Sequence, residues 1–333
     1  MAGNENQKLK PFKVLQILKE KTDDTHILNA NDIATILEKE YGIKSERKSI
    51  YNDIAVLQNA GYDIELAISP KRGYYLASRE FELPELKILV DAVQSSQFVS
   101  KSKSEGMVKK LCGLTNKASA DRLKTQTVYG KLKTQNQSVL THISQISDAI
   151  LDDKKISFKY LTYNTDKKLV AKYDGKIYEV SPYGMVWRDD RYYLVADSGG
   201  NRFTYRIDRM KNVSILDEKR EPLKEAIGNY NFKITEFMAK YCEQKFSMFS
   251  GEETKVKLRF ANRLMDVAID FFGIDVSIEN QTDKTFEITA KVSFSPTFIA
   301  WITGFGGDVQ LLAPIDKVEE LKAHISKVLN THK

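Results

Sequence analysis

Hydrophobic positions in the first 80 residues recur with helical spacing and then with strand spacing. Phe12, Leu15 and Leu18 make one apolar helix face. Ile33, Ile36, Leu37 and Tyr41 make a second, behind an N-cap at Asn31 or Asp32. Gly42 turns the chain. Ser45 offers an N-cap for a third helix, Ile50, Ile54 and Leu57 form its apolar stripe, and Gly61 ends it. Asp63 to Ile68 reads as a strand, Ser69-Pro70-Lys71-Arg72-Gly73 as a basic turn, and Tyr74-Tyr75-Leu76 as the return strand. Three helices and a hairpin predict a winged helix-turn-helix over residues 1–80.

Residues 81–152 predict a helical connector. Leu83, Leu86, Leu89, Val90 and Val93 give a strong helix, Ser95 to Glu105 reads as a loop, and Val139, Ile143, Ile146 and Ile150 return to helical spacing. After Lys155 the period shortens to two. Ile156, Phe158 and Tyr160 alternate, as do Lys176 to Val180. Ser181-Pro182-Tyr183-Gly184 reads as a turn, Asp189-Asp190 as a hairpin tip, and Ser198-Gly199-Gly200-Asn201 as another turn. About five short strands with tight turns predict a small β-barrel over residues 153–217. A helical linker follows over 218–254, centred on Leu223 to Phe249. Residues 255–333 read in the order βαββαβα, a ferredoxin-like α/β domain. The fold class is therefore α+β and multidomain.

Composition narrows the class. A chain of 333 residues, 42% hydrophobic and 29% charged, is globular and holds two or three domains. It has no apolar run long enough to span a membrane, and Met1 to Lys10 lacks the apolar core of a signal peptide. Cys112 and Cys242, without Cys-x-x-Cys spacing, read as buried free thiols in a reducing cytoplasm. The net charge is +6, yet residues 1–80 carry equal numbers of acidic and basic side chains, and most of the excess lies in 81–135. Nucleic-acid binding by the first domain therefore depends on where single cations stand, and on doubling by dimerisation.

The third helix carries the first candidate chemistry. Lys48, Tyr51, Asn52 and Ala55 share a face away from its apolar stripe, with Arg47 at the edge and Lys44 and Ser49 beside it. A cation, hydrogen-bonding groups and a small residue together suit a major groove. Lys71 and Arg72 at the hairpin tip are placed to touch phosphate. In the barrel, tyrosines, Trp187 and arginines interleave. Aromatic faces stack on bases, and Arg206 and Arg209 suit phosphate. The plainer alternative makes the tyrosines core and pairs the arginines with Asp208 and Asp189. Arg206 and Arg209 would also project to opposite faces of a regular strand, so a shared pocket requires the strand to end or bulge near Asp208.

Catalytic patterns are missing. His26, His142, His324 and His332 share no metal-ligand spacing, and no P-loop, Gly-x-Ser-x-Gly or His-Glu-x-x-His occurs. Asp152-Asp153 and Asp189-Asp190 suit helix ends and turns. Gly304-Phe305-Gly306-Gly307 follows a helix and lacks the strand–turn–helix context of a dinucleotide loop. The expectation is a protein with no catalytic residue, metal or cofactor.

Residues 45–62, from Ser45 to Tyr62, with Arg72-Gly73-Tyr74-Tyr75-Leu76, resemble the N-terminal winged helix of bacterial WYL-domain transcriptional regulators. Where that family often has Arg, this chain has Asn52, whose amide suits an adenine edge. Arg191-Tyr192-Tyr193-Leu194 stands where the family's Trp-Tyr-Leu falls, with Tyr192 in place of Trp. Ser181-Pro182-Tyr183-Gly184 and Tyr205-Arg206-Ile207-Asp208-Arg209 are similar to further family signatures. Phe305-Gly306, Val309 and Pro314 look like the family's C-terminal extension. The resemblance implies an Sm-like, SH3-type barrel that senses a ligand, with single-stranded nucleic acid or a nucleotide the leading candidates. It implies Tyr160, Ser181, Tyr183, Tyr193, Arg206 and Arg209 as the ligand-binding residues.

Together these readings predict a cytoplasmic homodimeric regulator that binds an inverted-repeat operator in double-stranded DNA. The barrel senses an anionic ligand, and the C-terminal domain couples and dimerises. The alternative is an accessory protein that binds single-stranded nucleic acid and modulates another effector, such as a phage-defence system. An ordered site on duplex DNA separates the two.

Overall fold

The computed structural model describes residues 2–69, 71–125, 133–222 and 252–332. The chain divides into two compact units, Met1–Gln137 and Ser138–Lys333. The division falls inside the stretch 81–152 that the sequence suggests as one connector. Pro70, Cys242 and the linker core Leu223 to Phe249 lie outside the described residues.

The first unit opens with α1 (Ala2–Lys21), α2 (Ala30–Tyr41) and α3 (Arg47–Asn59), then a hairpin of β1 (Ile64–Ala67) and β2 (Gly73–Leu76). The buried face of α1 is Val14, Leu15, Ile17 and Leu18, whereas Phe12 is exposed, contrary to the expected face. These residues pack with Ile33, Leu37, Ile50, Ile54, Leu57, Ile64 and Leu76 into one core. The cap of α2 is Asn29, not Asn31 or Asp32. Asn29 Oδ1 accepts from the N–H groups of Asn31 and Asp32, and the Asp32 carboxylate accepts from the Asn29 N–H in return. Ser45 does not cap α3. Glu46 holds that position without a side-chain bond. Strand β2 also bridges to Leu28, and a Cβ on Gly73 would stand 2.8 Å from the Leu28 carbonyl, so only glycine fits there.

Three further helices, α4 (Leu83–Ser95), α5 (Lys101–Cys112) and α6 (Lys117–Thr125), share a core of Leu86, Val90, Val108, Cys112, Ala120 and Leu123. The loop expected from Ser95 to Glu105 is shorter, because α5 already begins at Lys101. Its inward row, Ser104, Val108 and Cys112, starts with a serine and so hides the helical period. Lys133 Nζ satisfies that buried hydroxyl at 2.9 Å and also donates to the carbonyls of Val93 and Ser96.

In the second unit, α7 (Val139–Leu151) precedes β3 (Lys154–Tyr163), β4 (Leu169–Ala171), β5 (Ile177–Arg188), β6 (Arg191–Ser198), β7 (Asn201–Arg206) and β8 (Met210–Lys219). The strands run antiparallel in the order β4-β3-β5-β6-β7, with β8 also on β3. The expected barrel is not closed. A 3-10 turn, Ile207–Arg209, ends β7 and sends the chain to β3 on the far side, so β7 and β8 do not pair among the described residues. Closure is not needed to bury the concave face, because α7 packs on β3, β5 and β8 through Val139, His142, Ile146 and Ala149. The expected turn at 181–184 is also absent. β5 is continuous, with a bulge between Pro182 and Gly184 that turns Tyr183 into the core.

The chain then forms β9 (Glu252–Ala261), a helix Met265–Phe272, β10 (Ile278–Glu279), β11 (Thr285–Phe294), a helix Pro296–Thr303, β12 (Val309–Ala313) and a helix Ile315–Thr331. Its four-stranded antiparallel sheet has the order β10-β11-β9-β12. Val256, Leu258, Phe260, Phe286, Ile288 and Phe298 form its core. On this sheet Glu287 accepts from Asn280 at 2.7 Å, from Arg259 at 3.0 and 2.7 Å, and pairs with Lys257 at 3.0 Å. The Asn280 bond, then Arg259 and Lys257, hold its carboxyl well below the usual glutamate range, at about 2. A depressed folded-state pKa adds stability above the unfolded value and loses it as the pH falls towards the folded one. The expected result is a melting temperature that drops as the pH falls through the ordinary glutamate range towards about 2. Trp301 fluorescence in a Trp187→Phe background reads this domain. Glu287→Gln should flatten that slope, and an unchanged slope would refute the network's role.

Candidate nucleic-acid interface and anion site

The buried stripe of α3, Ile50, Ile54 and Leu57 with Asp53, leaves Lys48, Asn52 and Ala55 facing solvent. Arg47 and Lys44 are exposed beside them, Lys44 being 3.7 Å from Glu38. Two of the other candidates face elsewhere. Ser49 is bonded by Lys10 Nζ, which also pairs with Asp53 at 3.1 Å inside the unit. Burial raises the Asp53 pKa, and Lys10 pulls it back. Tyr51 is half-buried. Its hydroxyl accepts from Arg47 Nε at 2.5 Å, and its ring meets Tyr74 edge-on at 6.1 Å. Tyr51 therefore positions Arg47 and ties α3 to the hairpin.

A cleft of about 520 Å³ lies between the start of α2, α3 and the hairpin, lined by Asn31, Arg47, Tyr51, Leu66, Arg72 and Tyr74. Two guanidinium groups and the N-terminus of a 12-residue helix at one mouth suit a phosphate. Of the two hairpin cations, Lys71 is held at 3.2 Å by Asp32, and Arg72 lines the cleft.

The six ligand-site candidates of the second unit separate into two groups. Ser181 and Tyr183 are buried. The Ser181 hydroxyl accepts from the Glu221 N–H at 2.9 Å, and the Tyr183 hydroxyl donates to the Glu221 carbonyl at 3.1 Å. Both fasten the chain after β8, so neither ring nor hydroxyl offers a stacking surface.

The other four gather where β7 ends. Arg206 and Tyr193 are direct cross-strand partners. Arg206 donates twice to the buried Asp208 carboxylate, from Nε at 3.1 Å and Nη2 at 2.7 Å, and its backbone N–H donates to the Tyr160 hydroxyl at 3.1 Å. Arg191, which the sequence reading did not single out as a site residue, stands 3.6 Å from the same carboxylate. It lies two residues from Tyr193 and so on the same sheet face. Arg209 sits on the 3-10 turn, released from strand alternation, and its buried Nε has no hydrogen-bond partner. Two guanidinium groups thus share one carboxylate, and Arg209 acts electrostatically on Tyr160 and Arg191. Burial, then the neighbouring Arg206, lowers the Arg191 pKa. Burial also raises the pKa of Tyr160 and of Tyr193, keeping both neutral as donors. A half-buried corner with surplus positive charge and an unsatisfied guanidinium N–H has the chemistry to accept an anion. His142 of α7 hydrogen-bonds the backbone of Ile207 at the head of this turn, and burial lowers its pKa.

No group of three or more His, Cys, Asp or Glu side chains among the described residues is arranged to hold a metal ion. No described helix is long and apolar enough to cross a membrane.

Residues 141–215 match the WYL domain family model, and residues 252–329 match the WCX domain model. No curated protein matches the chain. Among solved structures, the chain is similar to proteasome accessory factor B/C (PafBC) of Arthrobacter aurescens, at 15% identity and a TM-score of 0.29. The alignment covers 97% of this chain and 49% of that one, so this chain spans about half its length. It is also similar to a CRISPR Cas-related protein, at 16% identity and a TM-score of 0.37, over 97% of this chain and 84% of that one.

Proposed function

On the premise of a WYL domain followed by a WCX domain, we propose that the chain is a ligand-responsive, DNA-binding transcriptional regulator. The helices α1 to α3 and the hairpin are read as a winged helix-turn-helix, and the 4-1-3-2 strand order of the last sheet as ferredoxin-like. The observation that carries this reading is α3, which keeps Lys48, Asn52 and Ala55 in solvent beside the Arg47 and Arg72 cleft. The net neutrality of residues 1–80 favours a homodimer, since one copy brings few cations to the phosphates. Two copies on a two-fold axis read an inverted repeat. The cluster of Arg191, Arg206 and Arg209 is read as the sensor, and α7 as the element that feels its occupancy through His142. No catalytic step is assigned.

The test is selection of a duplex from a random pool by the full chain, followed by footprinting at fixed salt. The expected result is a protected site with two related halves one or two helical turns apart. Retention of all duplexes equally would overturn the reading. That outcome would favour the second reading, an accessory protein for single-stranded nucleic acid, which the surplus charge at Arg209 supports.

A further inference from the structure

The turn that joins β6 to β7 closes a cavity of about 390 Å³. Asp197 lines it and is 2% exposed. Its Oδ1 accepts from the Gly200 N–H at 3.0 Å, whereas its Oδ2 is buried and has no hydrogen-bond partner among the described residues. A buried carboxylate oxygen without a donor is costly, so this one points to a donor from outside the chain. Ser181 stands directly across from Asp197, on β5. Its hydroxyl accepts from the Glu221 N–H at 2.9 Å, which leaves a second lone pair beside Asp197.

The cavity is separate from the arginine cluster. Arg191 opens β6 and Asp197 stands near its other end, about 20 Å along the strand. Its charge is also of the other sign. Asp197, Glu179 and Glu221 line it against a single cation, Lys155, whose Nζ is held by Glu218 and Glu221, each at 3.2 Å. Glu179 is exposed and makes no ion pair among the described residues. Such a lining favours a cation. Its form follows from the spacing. Glu179 lies two residues before Ser181 and so on the same sheet face, diagonal to Asp197, with Cα atoms about 7–8 Å apart. A bare metal ion needs oxygens that converge on one point, and no acidic group of three does so among the described residues. A guanidinium grips both oxygens of a carboxylate, but Gly200 already holds one of them. An ammonium needs only one, and an aliphatic chain with an ammonium at each end reaches both carboxylates.

We propose that this cavity binds an aliphatic diamine or polyamine. One ammonium donates to Asp197 Oδ2 and Ser181 Oγ on the floor, and the next pairs with Glu179 at the mouth.

The test is isothermal titration calorimetry of the full chain at fixed salt with the diamine putrescine, the monoamine butylamine, the neutral butanediol and calcium chloride. Wild type should bind putrescine about threefold more tightly than butylamine, the usual worth of one exposed ion pair, and should not bind butanediol. Asp197→Asn should weaken both amines about tenfold, by the loss of a charge-assisted hydrogen bond. Asparagine keeps an acceptor for the Gly200 N–H, so the ligand-free melting temperature should stay close to that of wild type. Glu179→Gln should bring putrescine down to the affinity of butylamine and leave butylamine unchanged. Its side chain is exposed, so this variant decides the matter if Asp197→Asn fails to fold. No binding of either amine by wild type, or amine binding that ignores both substitutions, would overturn the site. Butanediol bound as well as putrescine would do the same, and so would calcium bound more tightly than either amine.

Discussion

Lys48→Ala and Asn52→Ala are each expected to weaken specific duplex binding by about 1–3 kcal/mol, the loss typical of a good base-edge contact. Both side chains are exposed and lie away from the buried stripe of α3, so thermal stability should stay within about 0.5 kcal/mol of wild type. Tyr51→Ala gives no such clean result. It removes the acceptor for Arg47 and the edge contact with Tyr74, so binding and folding fall together. Arg72→Ala should weaken all duplexes alike and reduce the salt slope by about one unit. Lys71→Ala should do less, because Asp32 already holds that ammonium at 3.2 Å. The measurement is duplex affinity against salt for the selected site and a scrambled one. Equal loss on both duplexes in Lys48→Ala and Asn52→Ala would sink the recognition-helix assignment.

Arg206→Ala and Arg209→Ala are expected to diverge, although both remove a guanidinium from the same corner. Arg206 holds the buried Asp208 with two hydrogen bonds. Its removal leaves Arg191 paired with that carboxylate, at 3.6 Å. Removing one partner of a buried pair costs about 3–5 kcal/mol, and Arg191 keeps the loss near the lower figure. Arg209 has no such bond to lose, and its buried Nε is unsatisfied. Arg209→Ala should therefore leave the melting temperature nearly unchanged and weaken anion binding at least tenfold, by the usual worth of a charge-assisted hydrogen bond. Calorimetric unfolding together with anisotropy on short oligonucleotides separates the two. If Arg209→Ala unfolds the domain and Arg206→Ala does not, the assignment of structural and ligand-facing arginines is reversed.

Much of the architecture was legible along the chain. Apolar spacing marked α2, α3, the hairpin and the element order of the last domain, because buried faces impose periods of 3.6 and 2 on the residues that line them. It failed where an inward position is polar. Ser104 hides the start of α5, and Asn29, not Asn31 or Asp32, caps α2. The stripe of α3 leaves Lys48, Asn52 and Ala55 exposed on its other side, but Ser49 and Tyr51 are engaged by Lys10, Arg47 and Tyr74, which the spacing alone does not tell.

Which arginines are free to bind was decided only by the tertiary structure. The sequence leaves open whether the strand from Phe203 to Arg209 ends or bulges near Asp208, and whether its arginines bind a ligand or pair with Asp208 and Asp189. The fold ends that strand at Arg206, spends Arg206 on Asp208 and leaves Arg209 on a turn. Ser181 and Tyr183 stand in a recognisable motif, but a bulge turns Tyr183 inward to bond Glu221, about 40 residues away. The open sheet is of the same kind: local alternation specifies strands, whereas closure depends on whether β7 meets β8 or a helix covers the face instead. The sequence by itself determined most of the helices and strands and the apolar stripes of α2 and α3, because those depend on neighbours within a few residues. The pairing of charges and the exposure of rings depend on partners brought together from distant strands, and only the folded chain decides them.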